Sequence, residues 1–527
     1  MMHVKTNSPN DSMKNIIGCF LMFTLVGLYL PQNGYCRAQN RIVVDLNVGE
    51  TKNVTLVNGN TATLKLLAMD NEKDIRGFIK NATVTIEVNG VRRTLGVGMY
   101  NLPVTIGNLK IDCTVTKDYY KGGSKHNRNW WNLVFTKEDV EAYGYDYQKD
   151  ARFRLWPKDA KLFKGVFKHP INRRWGSSYT QLDNEHVEQT IPKLWEYDPP
   201  YYHAQVDIGA SNNKYEIYTP VDGVVVRRPR IPGKKSDMTV LDDPKYRKIL
   251  SNESGIFWDR CGYDITIIDE HGWVYLFGHM RHIEVELGDR VKAGQKIAYT
   301  GNVQARWPHL HFGIWAPQPS GKYGSEPGYA YCWESYVNEH SPSILAVTGH
   351  HHFIKVGDKV TFSAESSQSF KGKIVEYTWL FCDGTTGSGK TFTKTYDTNG
   401  YFTEILKVKD DKGNTAYNTS TVYASDTTLA GMARMWLSYY PSLGLKAGDE
   451  VEFETKILFY KAVEGDHEVW NFGDGSPAIH TDSIKDYARP KHVYKKPGDY
   501  IVSVKRDDIA GNHIVSRIVV HVDGSTN

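Results

Sequence analysis

At 527 residues, 40% of them hydrophobic, the chain is too long for one core and matches three or four domains at about 150 residues each. A formal net charge of +4 over that length is too small to imply a nucleic-acid or polyanion partner through bulk electrostatics. Aromatic residues reach 12%, with 33 tyrosines, which suits β-rich domains.

Lys14 precedes an apolar run over residues 16–30, shorter than the roughly 20 residues that span a bilayer, and Pro31 and polar residues follow. This layout predicts a secretory signal over residues 1–38, cleaved after Ala38 with Cys36 at the third position back, and Met13 is an alternative start. Lipid attachment at Cys36 is the competing reading, disfavoured by Tyr35 where a small residue is expected. Either way the protein is expected to be exported, to the medium, the periplasm or the cell surface, and not to span a membrane once the signal is removed. Cys113, Cys261, Cys332 and Cys382 remain, without the C-x-x-C spacing of a structural zinc site. A disulfide between Cys261 and Cys332 and free buried thiols both fit that pattern.

Residues 39–160 read as an N-terminal β-domain of short strands. The alternating stretch at residues 83–88 closes on Asn89-Gly90, a dipeptide that supplies the positive φ angles of a tight hairpin. Trp130-Trp131 suggests a sugar-binding face, although adjacent tryptophans in a strand ordinarily send one ring to the core.

Residues 161–342 hold the chemistry. In Pro308-His309-Leu310-His311-Phe312 the alternation of a strand puts both imidazoles on one face and sends Leu310 and Phe312 to the core. A histidine pair in a strand is often mere surface, but two upstream segments add donors. His203 and Asp207, four apart, can supply a nitrogen and an oxygen to one zinc, and His279 follows the apolar run at residues 275–278.

These segments resemble the lysostaphin-type zinc endopeptidases of bacterial cell walls, marked by His-x-x-x-Asp, a strand ending in His, and His-x-His. Residues 220–226, 263–269 and 287–301 fall where that family's strands and turns are expected, so the resemblance covers roughly residues 165–320. It implies an antiparallel β-sheet domain with His203, Asp207 and His311 as Zn²⁺ ligands. It also implies that His309 orients and deprotonates water, while His279 stabilises the oxyanion and helps protonate the leaving amine. The implied substrate is peptidoglycan, cleaved in stem peptides or cross-bridges. Two departures stand out. Gln205 replaces a glycine common in the family, and some thirty residues between Val226 and Gly262 replace a short turn. Long loops in compact domains are mostly functional or disordered, so this one is read either as a groove wall that sets specificity or as a solvated insertion.

Residues 343–425 and 426–527 repeat one pattern: a strand tryptophan (Trp379, Trp470), an Asp-Gly turn (Asp383-Gly384, Asp474-Gly475), and a tyrosine leading into a glycine turn (Tyr396, Tyr494). Both resemble the polycystic-kidney-disease (PKD) module, an immunoglobulin-like sandwich used as a spacer or adhesive unit. The first copy departs at Leu380 and Cys382. Calcium at Asp474 competes with plain turn chemistry, and His350-His351-His352 is read as a domain edge rather than a metal tract. The expected fold is therefore mainly β and multidomain, and the expected activity that of a zinc metalloendopeptidase. The alternatives are a non-catalytic wall-binding regulator or adhesin on the same fold, and an endopeptidase acting on Gly-rich protein.

Overall fold

Residues in strict period-two alternation pair into antiparallel sheets, and in this protein such pairing accounts for nearly all regular structure. The computed structural model describes residues 39–73, 79–98, 100–117, 149–178, 180–181, 186–187, 201–202, 205–230, 238–251, 263–303, 305, 307–318, 323–426, 434–458, 467–482, 489–507 and 513–524. The predicted signal, Trp130-Trp131, His203 and Cys261 lie outside these residues. The described chain is mostly β, with two helices, Pro244–Leu250 and Tyr329–His340. Among the described residues no helix is long and apolar enough to cross a membrane.

The N-terminal region forms two four-stranded sheets. Thr61–Lys73 and Ile79–Val88 pair antiparallel, and Val88 meets Val91 across the Asn89-Gly90 turn, where φ is 49° and 82° as a tight hairpin demands. Leu64, Leu66, Val84, Ile86, Phe153 and Leu155 fill the core between the sheets.

A nine-stranded antiparallel sheet forms the middle of the chain. Its central order is Gly223–Pro229, Tyr263–Ile268, Val274–Gly278, His309–Pro317, Val206–Gly209. Leu310, Phe312, Ile265, Ile267 and Phe277 are fully buried on one face, packed with Tyr331 and Trp333 of the helix Tyr329–His340. The region between Val226 and Gly262, expected as a long loop, is partly folded. Met238–Val240 pairs with Arg227, Arg228 and Pro229, and Asp243 caps the helix Pro244–Leu250 by accepting from the Lys245 amide at 2.8 Å. Cys332 is buried inside the second helix.

The two C-terminal sandwiches share a sheet. Gly400–Asp410 of the first pairs parallel with His513–Val522 of the second, and Arg517 reaches across to the Thr403 carbonyl at 2.8 Å and the Glu404 carboxylate at 2.7 Å. Trp379 and Trp470 lie at the bottom of their respective cores, 0% exposed. The second sandwich also packs on the middle domain. Ser438 bridges Ser178, its hydroxyl meets that of Ser211 at 3.0 Å, and Lys214 pairs with Glu452 at 3.0 Å.

Candidate active site

Three neighbouring strands bring the candidate residues together. In the register, Asp207 stands directly opposite His311, which on its other side faces Gly278, the residue before His279. Because side chains alternate along His309–Pro317, His309 and His311 share the face that Leu310 and Phe312 do not. Asp207 lies between them: His311 Nδ1 is 2.5 Å from Asp207 Oδ1, and His309 Nε2 is 3.3 Å from Oδ2. Asp207 is 5% and His309 3% exposed.

His279 reaches the same place from a turn. Its φ of 65° is left-handed, an uncommon conformation for a residue with a side chain, and the turn is held where the Met280 amide donates to Asp264 Oδ2 at 2.8 Å. Gly301 makes room for it, since a Cβ there would sit 2.6 Å from the His279 carbonyl oxygen. The imidazole rings of His279 and His309 lie 4.6 Å apart, and nitrogens of His279, His309 and His311 all fall within 4.8 Å of one another.

Backbone carbonyls fix two tautomers. His279 Nδ1 is 2.7 Å from the Val303 oxygen and His309 Nδ1 is 2.9 Å from the Trp307 oxygen. A carbonyl only accepts, so each Nδ1 carries a hydrogen, while the other ring nitrogen of His309, Nε2, faces the Asp207 carboxylate. Burial holds the His279 pKa well below its ordinary value, repulsion from His309 and His311 adds to this, and the pull of Asp207 and Val303 does not restore it.

The donor set fits a divalent cation. Asp207 Oδ1 and His311 Nδ1 share a hydrogen bond at 2.5 Å, and an imidazole with a carboxylate is a zinc-type pair. The structure thus gathers four of the five sequence candidates, Asp207, His279, His309 and His311. The fifth, His203, is outside the described residues. The sequence reading missed Trp307, whose indole stacks on His309 with centroids 4.2 Å apart and planes at 17°. Its place two residues before His309 was the available signal, since such residues share a face in extended chain.

Comparison with known proteins agrees with this architecture. Residues 201–323 match peptidase family M23, and residues 340–425 and 436–516 each match the PKD domain. A microbial collagenase of Vibrio alginolyticus is 42% identical over 71 residues, 14% of this chain and 9% of that protein. A collagenase of Bacillus cereus is 35% identical over 74 residues, 14% of this chain and 8% of the other. The chain therefore spans under a tenth of the length of these curated relatives. Among solved structures, the catalytic domain of lysostaphin from Staphylococcus simulans aligns at 18% identity over 30% of this chain and 92% of its own, with a TM-score of 0.20. The first PKD domain of a Vibrio cholerae metalloprotease aligns at 26% identity over 16% of this chain and 99% of its own, with a TM-score of 0.15. The chain thus carries a region that matches peptidase family M23, followed by two that match the PKD domain.

Proposed function

We propose that this protein is an exported zinc endopeptidase that hydrolyses peptide bonds in peptidoglycan stem peptides or cross-bridges. The observation that carries the reading is the convergence of Asp207, His311, His309 and His279 at one end of three adjacent strands, inside the stretch that matches peptidase family M23. His203, Asp207 and His311 are the residues that would hold the zinc. Zinc bound there supplies a Lewis acid, which polarises a carbonyl and lowers the pKa of water from about 15.7 to about 7.

Proton movement falls to the other two histidines. His309, its Nδ1 hydrogen committed to Trp307, turns Nε2 toward Asp207, where it would orient water and take its proton. His279 must gain a proton at Nε2 before it can stabilise an oxyanion or serve the leaving amine. Its low basicity in this buried setting makes it yield that proton readily to the amine nitrogen as the C–N bond breaks.

The collagenase names of the two curated relatives favour a second reading, hydrolysis of a Gly-rich protein by the same chemistry. Parallel digestion of purified sacculi and of gelatin separates the two. New peptide termini from sacculi alone support the wall reading, termini from gelatin alone replace it with the second, and termini from neither remove both.

A further inference from the structure

We propose that the second PKD domain is a working part of the catalytic site, with Trp436 acting as a positioning residue that holds Trp307 against His309. The proposal rests on the role given to His309 above.

His309 is restrained in two ways. Its Nδ1 donates to the Trp307 carbonyl, and its ring lies flat on the Trp307 indole. Both of these come from one residue, so the aim of His309 Nε2, which lies 3.3 Å from Asp207 Oδ2, depends on the placement of Trp307. Trp307 lies outside the named strands, and its ring packs in the core cluster of the second sandwich, with Trp436, Leu437, Tyr439 and Phe453, rather than in the core under the catalytic sheet. The contact is edge to face: the Trp307 and Trp436 centroids are 4.4 Å apart at 61°. Both rings are 6% exposed.

Trp436 is itself well anchored. It lies on Arg434–Tyr440, the strand whose Ser438 bridges Ser178, and on the adjoining strand Glu454 accepts from the Asn212 amide at 2.9 Å. Polar contacts along the seam thus fix the domain, and the tryptophan pair transmits that fixity to the imidazole. A spacer domain would need only the polar seam. A ring wedged behind the residue that stacks on a proton-handling histidine suits a domain that shapes the site, because a misplacement of about 1 Å can cost on the order of 100-fold in rate.

The test uses the full-length, zinc-loaded chain with Trp436→Leu, which keeps apolar bulk, Trp436→Phe, which keeps a ring, and Lys214→Ala as a seam control remote from the stack. Two quantities are read: the His309 Cε1 proton shift by NMR, which the stacked indole moves upfield, and kcat and KM on sacculi. The expected result is that Trp436→Leu moves the His309 signal and lowers kcat by about 10- to 100-fold. KM and zinc content should stay unchanged, Trp436→Phe should restore most of both losses, and Lys214→Ala should show neither. An unmoved His309 signal with unchanged kcat in Trp436→Leu overturns the proposal, as does an equal loss in Lys214→Ala. If the wild-type chain cleaves nothing, the functional reading fails separately, and the His309 signal alone still decides whether Trp436 positions it.

Discussion

His309 and His311 are one residue apart on one strand face, yet their contacts assign them different work. Both reach Asp207, His311 through Nδ1 at 2.5 Å and His309 through Nε2 at 3.3 Å, and His309 commits Nδ1 to the Trp307 carbonyl. His311→Ala is therefore expected to lose metal and activity together. His309→Ala should keep a full zinc complement and lose about 10²- to 10⁴-fold in kcat, the usual cost of removing a general acid or base. Metal analysis alongside kinetics checks both, and equal zinc loss in the two variants contradicts the division. Gly301→Ala forces a methyl toward the His279 carbonyl and Arg281, so kcat should fall with zinc retained. Alternation and spacing made the shared face of His309 and His311 legible from the sequence, and the family resemblance supplied their roles. Trp307 and the Val303 carbonyl were not legible in the same way, because their roles depend on how loops fold over the strand ends, which no local pattern encodes.

The elements that local chemistry specifies formed as expected, and the hairpin at Asn89-Gly90 is the plainest case. The segment between Val226 and Gly262 did not read as structured, since its helix spans only Pro244–Leu250 and no long periodicity announces it. Its signals were an Asp-Pro start and the burial of Tyr246 and Leu250, and the second becomes visible only after folding. The segment adds a strand to the edge of the sheet that carries His309 and His311. Replacing residues 230–261 by a short Gly-containing turn is predicted to leave zinc content unchanged and alter which products form. Chromatography of the released peptides reads this directly, and an unchanged profile and rate would make the segment a passive insertion.

Across the whole molecule the domains are not beads on a string. Arg41 and Arg154 from the N-terminal region converge on Glu326 beside the helix Tyr329–His340, at 2.6 and 3.0 Å, and Arg41 also lies over the Trp273 ring at 4.7 Å. Burial alone would raise the Glu326 pKa, but the two guanidinium groups outweigh it and hold it at about 2, below the ordinary 4.5. A depressed carboxylate pKa stabilises the fold fully above the unfolded value, and the contribution is lost as pH falls from about 4.5 toward 2. Glu326→Gln removes the carboxylate partner of buried Arg41, while Arg154 keeps Asp112, and should cost about 3–5 kcal/mol at neutral pH, with a flatter acid dependence, as measured by urea denaturation at pH 7 and pH 3.5. The order of domains was legible from motif repeats, but the docking of the second sandwich against the catalytic domain was not. Its polar seam includes serines, Lys214 and two glutamates that look like ordinary surface until they meet. The central claim is zinc-dependent hydrolysis of wall peptides by the histidines around Asp207, and mass spectrometry of muropeptides released from purified sacculi tests it most directly. The zinc-loaded chain is predicted to release fragments that each gain one water per broken peptide bond, with little release by His309→Ala at equal zinc content and none after chelation. Absence of new termini from the zinc-loaded chain, or the same fragments from all three samples, would contradict it.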